Sequence, residues 1–348
     1  MEKVRLGRTE MMVTQIGFGG IPIQRVSEDE AIAVVKRCLE LGITFVDTAN
    51  GYTTSEERIG KAILGKHDGL ILATKSLAQT REEIENHLKL SLQRLAVESI
   101  DLYQFHNVSD ANTLKTILDP NGPMAVVEEA KRAGVVKHIG ITSHQIDTAI
   151  EAVKSDRFET IMFPFNFVTR EAIDELLPLS RERDVGFIAM KPLAGGMLDN
   201  VTLAIKYLLQ FPDVVFIPGI EKVPEINEIA QILKGSREIT ASEQEEMERL
   251  RQELGTRFCR RCDYCQPCTV EIPISDVMSY RSAVKRLPPV RLFTGKFAEA
   301  LEKAADCTEC GECEERCPYH LPICETIAEN VKLYQAGKKK YQEQVASR

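Results

Sequence analysis

Eight short apolar runs recur through residues 1–230, each parted from the next by an amphipathic stretch, and no other feature limits the fold so tightly. The runs fall at residues 14–18, 44–48, 70–74, 102–105, 138–142, 161–165, 186–190 and 214–218. They are mostly rich in Val, Ile and Phe and lack sustained polar alternation, as strands do when both faces are covered. The stretches between them carry helix starts. Ser27 and Thr80 are each followed three residues later by Glu, a pattern that satisfies orphan backbone N–H groups, and Gly42 stops the first of these helices. Eight strand–helix units over roughly 250 residues predict an α/β fold, a (β/α)8 TIM barrel. An open doubly wound sheet is the alternative, but no GxGxxG follows the first run. Residues 3–13 predict an N-terminal hairpin that closes the bottom of the barrel.

Beyond the eighth unit the composition changes. A Glu-dense stretch, residues 240–254, predicts a solvated connector helix. Nine of the ten cysteines then fall between Cys259 and Cys324. The expected domains are the barrel at 1–235, the connector at 236–257, and a small α-rich module with its tail at 258–348. Residues 337–340 read as a frayed, solvated end.

The cysteines form an internal repeat. Cys259, Cys262, Cys265 and Cys268 are spaced three apart, and Cys307, Cys310 and Cys313 repeat that spacing, with Cys317 four further on, ahead of Pro318. The second run matches the bacterial ferredoxin pattern; in the first, the last gap is shorter and Thr269 stands in place of Pro. In both runs the positions four, five and six after the last cysteine are apolar, Pro and Ile: Ile272, Pro273 and Ile274, then Leu321, Pro322 and Ile323. Eight thiolates in two such runs predict two [4Fe–4S] clusters in a ferredoxin-like module. In the usual crossed arrangement one is held by Cys259, Cys262, Cys265 and Cys317, and the other by Cys307, Cys310, Cys313 and Cys268. Structural zinc is the alternative, but four-cysteine zinc sites usually pair two CxxC units across a longer loop. Cys38 is expected in a helix core, and Cys324 as a bystander.

Catalytic groups of such barrels sit at the C-terminal strand ends. Asp47 follows the second run, Lys75 the third and His106 the fourth, with Tyr52 five residues past Asp47. Together they suit carbonyl reduction. Tyr52 would protonate the developing alkoxide, and Lys75, held by Asp47, would lower the phenol's pKa from about 10. His106 would orient the carbonyl oxygen. Any one of the four alone reads as readily as a cap, a solvated side chain or a structural histidine.

The segments around them resemble the aldo-keto reductases from about Val4 to Leu233. These are Phe45-Val46-Asp47-Thr48-Ala49 with Tyr52, Leu72-Ala73-Thr74-Lys75, Asp101-Leu102-Tyr103-Gln104-Phe105-His106, Ile139-Gly140-Ile141-Thr142-Ser143, Lys191-Pro192-Leu193 and Ile217-Pro218-Gly219. With the cysteine module, the chain resembles the branch of that family with a C-terminal ferredoxin-like domain. The resemblance implies the tetrad Asp47, Tyr52, Lys75 and His106. It also implies an NAD(P)H bound across the barrel mouth near Gly19, Gly20, Asp47, Thr142, Ser143, Asn166, Met190, Lys191, Leu193, Gly219 and Lys222. Met162 stands where the family often has Gln, and Met190 where an aromatic ring typically stacks on the nicotinamide. Residues 219–225 hold Glu221, Glu225 and Lys222, a poor clamp for a 2′-phosphate. This tilts the reading toward NADH without deciding it.

Lys plus Arg is 44 and Asp plus Glu 52, a net charge of −8, which excludes general attraction to nucleic acid or anionic membrane. No stretch approaches the roughly 20 apolar residues of a membrane span, and the opening MEKVRLGRTE is too polar for a secretory signal. A soluble, cytoplasmic oxidoreductase is expected, acting on a small aldehyde or ketone. The alternatives are an electron-transfer protein that docks nicotinamide and serves a redox protein partner, and a binding protein on an inactive barrel. The complete tetrad argues against the last. The loop after His106, residues 107–122, is expected to shape substrate choice.

Overall fold

The computed structural model describes residues 1–64 and 68–346. They divide into two compact units: Met1–Ala194 with Leu198–Glu243, and Gly195–Met197 with the residues from Gln244 onward. No helix among the described residues is long and apolar enough to cross a membrane.

The first unit opens with an antiparallel pair, β1 (Lys3–Arg5) and β2 (Met12–Thr14). Eight parallel strands follow: β3 (Phe18–Gly19), β4 (Phe45–Asp47), β5 (Ile71–Ser76), β6 (Ile100–Phe105), β7 (Val136–Thr142), β8 (Thr160–Pro164), β9 (Gly186–Met190) and β10 (Val214–Ile217). They lie side by side in chain order. Parallel bridges from Ile16 to Phe216 and from Gly19 to Gly219 bring the first strand region back to the last, closing the barrel. The first apolar run is the one barrel strand drawn differently from the expectation. Met12–Thr14 belongs to the hairpin, and only Phe18–Gly19 pairs with β4. Thr14 marks the change of direction: its Oγ1 accepts from Thr44 N–H at 3.0 Å and donates to the Ile16 carbonyl at 2.7 Å.

The barrel interior is packed, not hollow. Phe45, Ala73, Leu102, Met162, Ile188, Val215 and Ile217 form one cluster with Leu6 and Val13 of the hairpin. Leu6 and Val13 have no exposed surface, and burying each contributes about 1.5–3 kcal/mol. The hairpin therefore plugs the N-terminal end, as its sequence position suggests. Gly7, at φ +51°, allows this: a Cβ there would stand 2.2 Å from the Gly186 nitrogen at the foot of β9. The plug leaves the opposite end, where the strands finish, for chemistry.

The outer helices begin where their capping residues stand. Ser27 and Glu30 cap Glu28–Glu40 reciprocally, and Thr80 caps Arg81–Leu95. Cys38 is buried on the first of these, and burial pushes its thiol up to about 12. The segment after His106 is more ordered than a loop: Asp110 caps a helix over Ala111–Leu118, and Pro123–Arg132 follows.

The second unit is helical. Ala241–Gly255 is the acid-rich helix, capped by Thr240 and Glu243. Five-residue helices follow, Ile274–Met278, Tyr280–Val284 and Pro289–Phe293, and then Gly295–Lys303, Glu312–Glu315 and Ile323–Ala346. The tail does not fray at residues 337–340 but stays helical through Ala346. Tyr334 is buried and donates to Glu302 at 3.0 Å, Lys338 binds the same carboxylate, and the Tyr341 ring stacks on Phe293 at 5.3 Å. These contacts explain why the Lys-rich stretch does not unwind.

Candidate active site and thiol sites

Side chains alternate along a strand, so Leu102, Gln104 and His106 lie on one parity of β6 and its extension. Leu102 packs in the barrel interior, and Gln104 is fully buried. Lys75 pairs with Gln104 in the β5–β6 register, and Asp47 ends β4 opposite Ala73. These positions bring the four expected catalytic residues together. Lys75 Nζ donates to Asp47 Oδ1 at 2.5 Å and to the Thr48 carbonyl at 2.6 Å, both side chains being almost fully buried. The same nitrogen stands 5.2 Å from the centre of the Tyr52 ring. The Tyr52 and His106 rings meet edge to face at 5.7 Å. Burial pushes the Asp47 carboxyl up, and the Lys75 charge opposes that shift.

The loop carrying Tyr52 is pinned along its length. Thr48 and Ser55 hydroxyls meet at 2.8 Å, and Ser55 donates to the Gly20 carbonyl. Arg94 donates to the Asn50 carbonyl at 3.1 Å and pairs at 3.3 Å with Glu56, a buried carboxylate that also accepts from Thr74 at 2.6 Å.

Sequence reasoning missed Gln104, which donates to Asp47 Oδ2 at 3.2 Å. The signal was present: an amide on the same parity as an interior leucine and a mouth histidine. Glu56 and Arg94 left no such signal, since both read as ordinary helix-surface charges.

The residues expected around a nicotinamide cofactor lie at or just beyond strand ends, but several are engaged within the protein. Gly19 and Gly20 are required by closure: a Cβ on Gly19 would meet the Pro218 carbonyl at 2.7 Å, and one on Gly20 the Asp47 carbonyl at 2.9 Å. Thr142 Oγ1 accepts from Asn107 N–H at 2.7 Å, and the Ser143 hydroxyl exchanges hydrogen bonds with the Gln145 backbone. The Asn166 amide donates to the Lys191 carbonyl, and its oxygen accepts from Val168 and Thr169 N–H groups, all at 2.9 Å. Met162 is buried in the barrel interior, whereas Met190, Lys191 and Leu193 are half-buried at the end of β9. Gly219 faces Gly19 across the closing bridge, and Lys222 is exposed.

Glu225 accepts from the backbone N–H groups of Glu221 and Lys222, at 2.8 and 3.1 Å, and so caps the helix Val223–Ile232. The Glu221 carboxylate lies 3.7 Å from Arg25, and one of its oxygens is buried without a hydrogen-bond partner among the described residues. Such an oxygen fits a hydroxyl donor and repels a phosphate.

In the helical unit the two cysteine runs repeat each other in backbone as well as in spacing. Arg261 and Asp263 take φ +65° and +60°, while Glu309 and Gly311, at the same offsets in the second run, take +55° and +80°. Three residues past each last cysteine, Glu271 and His320 repeat the turn at +59° and +49°. In the first of these turns Arg261 N–H donates to Cys259 Sγ at 3.4 Å.

The runs also interlock. Cys268, Cys307, Cys310, Cys313 and Cys324 line one hollow, with Ile272, Ile274 and Ile327 among the other residues of its wall. On the other side Cys262 faces Cys317, and Cys265 faces Cys259 and Cys262. Arg316, next to Cys317, donates to the Cys265 and Pro267 carbonyls at 3.2 and 2.6 Å and so ties the two runs together. The first run thus places its last cysteine with the second run's first three, and the second run's last cysteine lies near Cys262. Among the described residues, no three Cys, His, Asp or Glu side chains close around a single point as ligands of one ion do. The all-thiol donor set fits a sulfur-ligated group.

Comparison with known proteins agrees with both units. Residues 15–202 match the model of the aldo/keto reductase family, and residues 258–322 match a 4Fe-4S dicluster domain. The uncharacterized oxidoreductase YqkF of Bacillus subtilis is 30% identical over 217 residues, covering 58% of this chain and 68% of its own. L-galactose dehydrogenase of Arabidopsis thaliana is 29% identical over 212 residues, 56% of this chain and 66% of its own. Among solved structures, the holo form of aldo-keto reductase AKR11C1 from Bacillus halodurans aligns with a TM-score of 0.63 at 26% identity, over 72% of this chain and 96% of its own. A Klebsiella pneumoniae aldo-keto reductase in complex with NADPH aligns at 0.60 and 20% identity, over 72% and 94%, a likeness of fold. The chain belongs to the aldo/keto reductase family of oxidoreductases and carries a 4Fe-4S dicluster domain after its barrel.

Proposed function

We propose that the barrel reduces an aldehyde or ketone to an alcohol with NAD(P)H, and that the helical unit holds two [4Fe–4S] clusters in the crossed ligation set out above. One observation carries the catalytic reading: a buried Lys75–Asp47 pair at 2.5 Å whose ammonium lies 5.2 Å from the Tyr52 ring. A buried ion pair contributes little net stability, because desolvation offsets attraction. Its place beneath a phenol gives it a chemical use.

A nicotinamide bound at the mouth would supply the hydride taken up by the carbonyl carbon. His106 donates a hydrogen bond to the carbonyl oxygen and fixes its direction. Tyr52 gives its proton to that oxygen as negative charge develops there, and the Lys75 ammonium stabilises the phenolate left behind. Asp47 holds Lys75 in place and balances its charge, and Gln104 fixes the second Asp47 oxygen. Glu221, a carboxylate on the loop after β10, suits a ribose hydroxyl better than a 2′-phosphate, which favours NADH over NADPH.

In the helical unit Cys259, Cys262, Cys265 and Cys317 would hold one cluster, and Cys307, Cys310, Cys313 and Cys268 the other. Such clusters pass electrons one at a time, whereas carbonyl reduction moves two. A structural or electron-storing role therefore suits them better than direct exchange with nicotinamide. The competing reading, electron transfer to a protein partner, predicts bleaching of cluster absorbance when NADH is added anaerobically. For the reductase reading, NADH and NADPH oxidation is followed with a panel of small aldehydes and ketones. Turnover by the native chain and its loss in Tyr52→Phe are expected; turnover undiminished in that variant overturns the assignment.

A further inference from the structure

The 4Fe-4S match ends at residue 322, and the ninth cysteine of the module lies just beyond it. Cys324 was expected to be a bystander, but the structure places it on the wall of the hollow ringed by Cys268, Cys307, Cys310 and Cys313. Its backbone N–H donates to Glu314 Oε1 at 2.8 Å, and its sulfur lies close to the Gly311 N–H and to the Cys313 sulfur. Gly311 precedes and Glu314 lies within the short helix Glu312–Glu315 that carries Cys313, so these contacts seat Cys324 against that one ligand position.

The internal repeat shows that packing does not require the thiol. Seven residues past Cys317 stands Cys324, and seven past Cys268 stands Ser275. Each is the second residue of a helix that begins at the matching Ile, Ile323 or Ile274. The two halves of the module are therefore alike in turns and exits and unlike at this position, one with a hydroxyl and the other with a fifth thiol.

The geometry points to Cys324 as a fifth sulfur donor at the site of Cys268, Cys307, Cys310 and Cys313, placed beside Cys313 and able to replace it on iron. The inference rests on the cluster reading above. With Cys313 in place, an S–H donated by Cys324 to that ligand would raise the potential of a bound cluster relative to one without the donor. With Cys313 removed, the Cys324 S–H bond would break and its sulfur would take the vacant iron position. The proton leaves to solvent, and no electron moves.

The test uses the full chain, reconstituted anaerobically, with iron and sulfide counted and each cluster's potential read by spectroscopic titration. Native protein should hold about eight iron. Failure to do so sinks the cluster reading itself, separately from Cys324. Given that count, Cys313→Ala should still hold about eight iron, Cys310→Ala about four, and the double variant Cys313→Ala/Cys324→Ala about four. Cys324→Ala alone, which keeps all eight presumed ligands, should lower one cluster's potential and leave the other unchanged. Iron in Cys313→Ala falling as far as in Cys310→Ala overturns the proposal, and so does a double variant as loaded as Cys313→Ala. Two unmoved potentials in Cys324→Ala do the same without requiring any ligand variant to fold.

Discussion

The barrel mouth and the cysteine module are built on opposite terms. At the mouth, the protein supplies its own partners: Lys75 has Asp47 and the Thr48 carbonyl, Asp47 has Gln104, and the Tyr52 loop is pinned by Ser55 and Arg94. In the module, five thiols face a hollow, and Cys265, Cys313 and Cys317 are themselves part of the apolar core. The mouth is preorganised before any ligand arrives. The module's core is built around its ligand sites, so binding there also supplies folding free energy.

The largest effect should therefore follow removal of iron. An anaerobic chelator applied to the loaded chain should cost the short helices Ile274–Met278 and Glu312–Glu315 their amide protection, while β4 to β10 keep theirs. Hydrogen exchange read by mass spectrometry separates the two. Equal loss in both units, or none in either, would erase the contrast drawn above.

At the mouth the corresponding break is chemical, with the fold intact. Tyr52→Phe removes one oxygen and leaves the Lys75–Asp47 pair in place. Its kcat should fall by about 10²–10⁴-fold, the usual worth of a positioned acid, while nicotinamide affinity measured by fluorescence stays near native. A parallel loss of cofactor binding would give Tyr52 a structural role instead.

The same contrast accounts for what the sequence disclosed. Strands buried on both faces are near-continuous apolar runs, so seven of the eight barrel strands could be placed to within a few residues. The first could not, because its run is shared between the hairpin arm Met12–Thr14 and the barrel strand Phe18–Gly19, and a turn at Thr14 made by side-chain hydrogen bonds leaves no apolar signature. Asp47, Tyr52, Lys75 and His106 were legible because they follow strand ends, and the two cysteine runs because ligand spacing is local. Glu56, Arg94 and Cys324 were not, since their partners lie 18, 38 and 11 positions away in Thr74, Glu56 and Cys313. The tail was misjudged for the same reason: Glu302 and Phe293, which keep it helical, are distant in sequence.

A smaller perturbation sharpens the account of the tetrad. Lys75→Met leaves the buried Asp47 carboxylate without its cation, and breaking such a pair typically costs about 3–5 kcal/mol of stability. Denaturant midpoints on the variant read this directly. In the surviving enzyme the Tyr52-dependent limb of the pH–rate profile should move upward, because the cation that favours phenolate is gone. An unmoved limb with measurable activity would leave Lys75 a purely structural partner of Asp47.

The smallest effect expected concerns which nicotinamide the mouth takes. Burial pushes the Glu221 carboxyl above its ordinary range, and Arg25, 3.7 Å away, works against that shift. Glu225 is already committed to two backbone N–H groups, so Glu221 is the charge a 2′-phosphate would meet on this loop. Glu221→Gln keeps the shape and removes that charge. The NADPH to NADH ratio of kcat/KM should rise on the order of tenfold, equivalent to about 1.4 kcal/mol. The native ratio should also depend on pH. With its pKa raised, Glu221 takes up a proton earlier than an ordinary glutamate as pH falls, so acidification should favour NADPH in the native chain. In Glu221→Gln that dependence should be flatter, leaving only the ionisation of the phosphate itself. Native and variant ratios that coincide at every pH would remove Glu221 from cofactor choice, and the mouth's preorganised charges would then act on the carbonyl alone.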